Sequence, residues 1–170
     1  MTKLLYIDKV KTNQQEFADN VISIARSLGV HPDWLMAAMN FESEMDPTAI
    51  NPKSGAGGLI QFMPTTAIAL GTTVPDLVSK SNIEQLDYVY RYFLPYANQM
   101  HRYLDVYLAI FFPYAVGAAK SFVIQTDKLS ASQIAKANPI FDINRDGKIT
   151  VKEVEKIILG RDPELKKKLE

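Results

Sequence analysis

The chain has 170 residues, 47% of them hydrophobic, and its 19 lysines and arginines are balanced by 19 aspartates and glutamates. That length buries one sizeable core and leaves room for a domain with an appendage, and the neutral balance gives no electrostatic case for nucleic acid or an anionic membrane as partner. The absence of cysteine excludes disulfides, thiolate zinc sites and thiol nucleophiles together, and fits a reducing or an oxidising compartment equally.

The first apolar run, Leu4 to Ile7, is too short for a signal peptide and is bounded by Lys3 and Asp8, and no later stretch is long enough to span a bilayer. The expectation is no membrane span and an export route other than a cleaved leader. Thr12 or Asn13 is placed to cap a first helix, with Glu16 closing a capping box, and Phe17, Val21, Ile24 and Leu28 give it one apolar stripe up to Gly29. Pro32 suits the first turn of the next helix, with His31 as its cap or a surface residue. Neither His31 nor His101 has a ligand or nucleophile at useful spacing, so both read as structural.

The helix expected over Pro32 to Ser43 carries the first chemically informative residue. Leu35, Ala38 and Glu42 stand at i, i+3 and i+7 and share a face, whereas Glu44 is turned roughly 200° away from Glu42. A carboxyl on an apolar face resists ionisation, because desolvation disfavours its charged form, and it can then donate a proton near neutral pH. A surface carboxylate near a fraying helix end fits the same spacing, and periodicity alone does not choose between the two. After Asp46-Pro47 comes Asn51 to Gly58, a loop of turn formers with glycine at 55, 57 and 58, which implies backbone that something approaches closely. It lacks the Gly-Lys-Ser/Thr ending of a phosphate loop, so nucleotide binding is discounted.

Pro64 to Leu70 is predicted as a short helix ending at Gly71, and Thr72 to Ser81 as a surface connection. Asn82 to Met100 reads as a helix with Ile83, Leu86, Val89 or Tyr90, and Phe93 buried, broken or kinked by Pro95. Tyr88, Tyr92, Tyr96 and Tyr103 are aromatics at helical spacing, which favours core, with stacking faces for sugar rings as the other reading. Leu104 to Gly117 is the most apolar segment and fits a central helix bent at Pro113, and Ser130 to Ala137 fits a short helix.

From Asp142 to Glu153, oxygen side chains stand at loop positions one, three, five, nine and twelve, with Gly147 at six and Ile149 at eight. This is the spacing of an EF-hand calcium loop: a hard cation takes six to eight oxygens, the glycine allows the sharp turn, and the last glutamate closes the shell. The ligand set is Asp142, Asn144, Asp146, the Lys148 carbonyl and Glu153, with Thr150 acting through water. Val154, Ile157 and Ile158 supply an exit helix, but there is no second loop to pair with.

The order Glu42-Ser43, Pro47, Ala49, Asn51-Pro52 and Gly55-Ala56-Gly57-Gly58-Leu59-Ile60-Gln61-Phe62-Met63-Pro64, with Ala67 and Gly71, resembles the SLT-type lytic transglycosylases, relatives of goose-type lysozyme that cleave bacterial cell-wall glycan. Looser echoes lie in Asn82-Ile83 with Tyr92 and in Tyr114 with Gly117, so the resemblance spans roughly residues 20 to 125. It implies that Glu42 is the sole catalytic acid and base, protonating the glycosidic oxygen and then drawing a proton from a muramoyl hydroxyl that attacks intramolecularly. It further implies that Ser43, Gln61, Phe62 and Met63 line the glycan cleft and that Tyr114 braces the glutamate. One departure is Pro113-Tyr114-Ala115-Val116-Gly117, which lacks the asparagine usual after that tyrosine.

The sequence reading is therefore a mostly α protein: a lysozyme-like helical domain over residues 1–128 and an EF-hand-like tail over 129–170 holding structural calcium, with no cofactor for catalysis. The expected activity is cleavage between N-acetylmuramic acid and N-acetylglucosamine in peptidoglycan strands, by a phage-encoded enzyme acting in the periplasm or outside the cell. Two alternatives accompany it: a hydrolytic muramidase using a second carboxylate, Asp46, Asp76 or Asp87, and a non-catalytic calcium-dependent module that only binds glycan.

Overall fold

The computed structural model describes residues 3–169; residues 1, 2 and 170, at the outer ends of the two predicted domains, lie outside the described residues. The protein is mostly helical, and among the described residues the only β pairing is three isolated bridges. Two compact units divide between Asn98 and Gln99.

In the first unit, α1 (Gln14–Leu28) buries Phe17, Val21, Ala25 and Leu28, with Ala25 rather than Ile24 completing the stripe. The predicted capping box does not form. Asn13 adopts a left-handed backbone (φ 54°) and makes no side-chain bond to the helix, because an N-cap side chain reaches its acceptor position from extended backbone. The preceding arm is tied down in other ways. Val10 is buried, the Leu5 N–H donates to the buried Asp33 carboxylate at 2.7 Å, and Asn82 Nδ2 donates to the Thr12 carbonyl at 2.8 Å.

Helix α2 (Pro32–Ser43) starts as expected, with Pro32 in its first turn and His31 Nδ1 accepting the Asp33 N–H. Leu35 to Met39 are all buried, so this helix is the centre of the unit. It ends at Ser43, three residues before Asp46, because Glu44 and Met45 are both left-handed (φ 53° and 67°) and turn the chain back. Two such non-glycine residues cost roughly 1 kcal/mol each, a strain that stands directly after the acid-bearing turn.

Helix α3 (Pro64–Ala69) follows the prediction. The stretch predicted as a surface connection instead contains α4 (Val74–Ser79), whose Val74 and Leu77 are buried and whose N-cap Thr73 accepts the Asp76 N–H. The cap and those two apolar contacts stabilise a turn of helix that turn-forming composition had concealed. Helix α5 (Asn82–Phe93) has a full Ser81–Glu84 capping box and buries Gln85, Leu86, Val89 and Phe93. It stops before Pro95, which sits in a 3-10 turn, so the predicted run to Met100 is too long.

In the second unit, α6 (Tyr103–Phe111) is almost wholly buried, and Pro113 ends it rather than bending it, since Phe112 already leaves helical backbone. Tyr107, Phe111 and Phe141 pack as an aromatic cluster. Helix α7 (Ala131–Ala137) and the exit helix α8 (Val151–Arg161) form where the sequence places them, while α9 (Pro163–Leu169) was not foreseen.

Candidate active site

Glu42 lies in the last turn of α2, half-buried, beside a cleft of about 1000 Å³ that is also lined by Phe41, Ser43, Asp46, Asn51 and Gln61. Burial pushes its carboxyl from an ordinary 4.5 up to about 7. The inward setting on the Leu35–Ala38 face therefore gives a carboxyl that keeps its proton up to about neutral pH and still reaches an open cleft.

The glycine loop beside it is fixed by the protein itself. A Cβ on Gly57 would stand 2.7 Å from Val74 Cγ1 and 3.0 Å from Val78 Cγ1, and one on Gly58 (φ +81°) would stand 2.7 Å from Gln85 Oε1. Buried Gln85 accepts the Leu59 N–H and donates to the Pro47 and Leu77 carbonyls. Ser43 Oγ donates to the Leu59 carbonyl at 2.9 Å and to Met39 at 3.1 Å. The close approach implied by the glycines thus comes from α4 and α5, two helices of the same unit.

Gln61, left-handed at φ 54°, turns its amide nitrogen onto the Ala49 and Gly58 carbonyls. Phe62 is buried under Tyr92, ring edge to ring face at 6.2 Å, and Met63 is exposed at the start of α3. Tyr92 is close enough to Glu42 for their charges to interact; burial first, then Tyr96 and Glu42, push its hydroxyl up, so it remains an O–H donor. Sequence reading weighed Tyr92 as core or a stacking face; its signal was position, one turn of helix past Val89 on the face that carries Gln85. Tyr114 belongs to the second unit, exposed, with its ring near Phe122. Of the three candidate second carboxylates, Asp46 lines the cleft, whereas Asp76 bonds Thr72 and Asp87 pairs with Arg91 on α5. The Thr48 hydroxyl and N–H on Asp46 hold its carboxyl below the usual range.

The arm before α1 adds a wall that the sequence did not reveal: Asp8, Lys9 and Lys11 line the same cleft. The link is long-range, through Leu5 and Asp33, and leaves no local pattern to read.

In the predicted calcium loop, Asp142 accepts the Asp146 and Gly147 N–H groups, Asn144 Oδ1 accepts that of Asp146, and Asp146 accepts that of Lys148. Glu153 turns one oxygen to the Thr150 cap and the other to the Ile143 N–H, across the start of the loop. Among the described residues no three His, Asp or Glu side chains converge as a metal cage. The donor chemistry, all oxygen with three carboxylates, fits a hard divalent cation. Where a second EF loop would pair, the segment Phe122 to Ile124 does so: Ile124 N–H donates to the Ile149 carbonyl at 2.8 Å and Val151 N–H to Phe122 at 3.0 Å.

Residues 19–91 match the family model of the transglycosylase SLT domain. The match runs from α1 into α5, takes in Glu42, the glycine loop and Gln61, and leaves outside it Tyr92, Tyr114, the N-terminal arm and the calcium-like loop. No curated protein matches the chain. No helix among the described residues is long and apolar enough to cross a membrane.

Proposed function

We propose that this protein is a peptidoglycan lytic transglycosylase that cleaves the bond between N-acetylmuramic acid and N-acetylglucosamine with Glu42 as its one acid and base. The observation that carries the reading is a carboxyl pushed up to about 7 by burial, on a cleft whose loop lies within the SLT match. Glu42 donates its proton to the glycosidic oxygen as that bond breaks; the resulting carboxylate then takes the proton of the muramoyl hydroxyl as its oxygen bonds to the anomeric carbon. The glutamate ends protonated, and no water is consumed. The neutral Tyr92 hydroxyl and the fixed Gly58–Leu59 backbone keep the acid's surroundings constant through both transfers.

Asp142, Asn144, Asp146, the Lys148 carbonyl and Glu153 would hold a structural calcium ion, which would neutralise three mutually repelling carboxylates. The substrate places the enzyme's work at the bacterial wall, and we extend the reading to a phage-encoded enzyme, carried in a virion or released at lysis. Asp46 supports a second reading, hydrolysis, because it is held ionised on the same cleft.

Mass spectrometry of fragments released from purified peptidoglycan tests the assignment. Anhydro-muramoyl ends, absent with Glu42→Gln, are the expected result. Reducing ends would transfer the protein to the hydrolases, and equal release by both proteins would remove Glu42 from the mechanism.

A further inference from the structure

Residues 1–98 hold seven basic side chains against ten acidic ones, yet three of the seven, Lys9, Lys11 and Lys53, line the Glu42 cleft. Two of them come from the arm that precedes α1, outside the SLT match. That arm is built in: Leu5 and Val10 are buried, and its backbone is bonded to Asp33 and Asn82. Lys9 is held by neutral groups, its Nζ donating to Asn40 Oδ1 at 2.7 Å and lying 5.4 Å from the Tyr6 ring centroid. Asn40 is two residues before Glu42, so the fixed ammonium is on the wall of the acid's own helix.

Four acids share the cleft with the three lysines, Asp8, Glu42, Glu44 and Asp46, and two of them are engaged elsewhere. Asp8 is paired with Lys3 at 2.6 Å, and Asp46 is engaged by Thr48 with Lys11 acting on it from a distance. Lys9, Lys11 and Lys53 line the cleft that a bound strand would fill, so they face the charged parts of that strand. A glycan strand is neutral along its sugar rings, and the negative charge of peptidoglycan is on the carboxylates of its substituents.

Resting on the transglycosylase reading, we propose that Lys9, Lys11 and Lys53 form a carboxylate-binding wall that selects strands whose peptide stems carry free carboxylates over strands whose stems are amidated. Ammonium groups at the cleft edge raise the local concentration of the anionic strand and stabilise it once bound, and salt screens both effects.

The test compares kcat/KM on stem-bearing strands with free carboxylates, on the same strands amidated, and on peptide-free strands that keep only the lactyl carboxylate. The triple variant Lys9→Gln, Lys11→Gln, Lys53→Gln is expected to lower the free-to-amidated ratio about tenfold at low salt, the scale of three exposed ion pairs. The triple arginine variant should restore the ratio. A ratio unchanged by the glutamine variant overturns the proposal, as does a loss of preference that arginine fails to restore. A preference reproduced in full by peptide-free strands moves the contact to the lactyl group and also overturns it. Strand binding to Glu42→Gln, read by fluorescence anisotropy on the same three substrates, decides the matter separately from turnover. If the parent cleaves nothing while lysine-dependent binding of free carboxylates persists, the cleavage reading fails and the wall stands.

Discussion

Replacing Glu42 by glutamine removes a titrating group whose cost to the fold follows from its displacement. A folded-state value of about 7 against an ordinary 4.5 is worth at most about 3 kcal/mol, reduced by the part of the carboxylate that reaches the cleft. The raised value means that the folded protein binds the proton more tightly than the unfolded chain. The contribution to stability is fully present below about 4.5, is lost as pH rises to about 7, and stays lost above it. Glutamine keeps the shape of the protonated acid and does not ionise. The variant should therefore melt with the parent near pH 4 and later than the parent at pH 8, by up to roughly 6–12 °C for a domain of this size. Melting curves by circular dichroism across pH 4 to 9 measure this, beside turnover, which the variant should lack. A melting difference that stays constant across that range would refute the burial argument, whatever happens to activity.

Four further outcomes are expected. Turnover at saturating substrate should fall as pH rises through about 7, because the proton donor is then lost; a flat profile into alkaline pH would count against Glu42 as the acid. Asp46→Asn should weaken the Thr48 turn by about 1 kcal/mol in a denaturant titration and leave the chemical ends of released fragments unchanged; a rate loss beyond about a hundredfold would favour hydrolysis. Gly57→Ala, which sets a Cβ 2.7 Å from Val74 Cγ1, should cost about 1–3 kcal/mol by overpacking, and a neutral result would mean that α4 yields freely. Calcium at a hundredfold excess over its dissociation constant should add about 2.7 kcal/mol, seen as a later melt against chelator in the parent and not in a protein carrying Asp142→Ala and Glu153→Gln; identical parent curves would dispose of the ion.

The parts of this fold that were legible in sequence are those in which local pattern and tertiary environment agree. Helix α2 was readable because Pro32 opens it and Leu35 and Ala38 share a face with Glu42, but periodicity left the acid either inward or at the surface, and burial in the fold decides for inward. Helix α4 was not, because Thr72 to Ser81 is rich in turn-forming residues and six residues of helix are too few for a period to emerge. Its existence depends on Val74 and Val78 packing over Gly57, a contact between segments far apart in sequence. The capping box at Glu16 failed for the opposite reason: the local signal was present, and the tethering of the arm through Leu5 and Thr12 forced Asn13 into left-handed backbone. Lys9 and Lys11 reach the cleft on that same arm, and their place there was equally invisible.

One residue, Leu59, explains why so much of the SLT-like motif is structural although it surrounds the candidate site. Ser43 holds the Leu59 carbonyl and Gln85 holds its N–H, so α2 and α5 grip the loop from either side. Glu42 precedes Ser43, and Tyr92 lies two turns of helix beyond Gln85, so the same two helices carry the acid and a tyrosine close enough to feel its charge. Any slippage of the loop would break buried hydrogen bonds at about 1–3 kcal/mol for each group left unpaired. Glycine at 57 and 58 allows the helices to close that far, and the left-handed Glu44 and Met45 take up the chain reversal that the closure demands. The strain after Glu42 and the bonds around Leu59 are thus two sides of one arrangement, which fixes a desolvated carboxyl at a cleft edge before any substrate arrives.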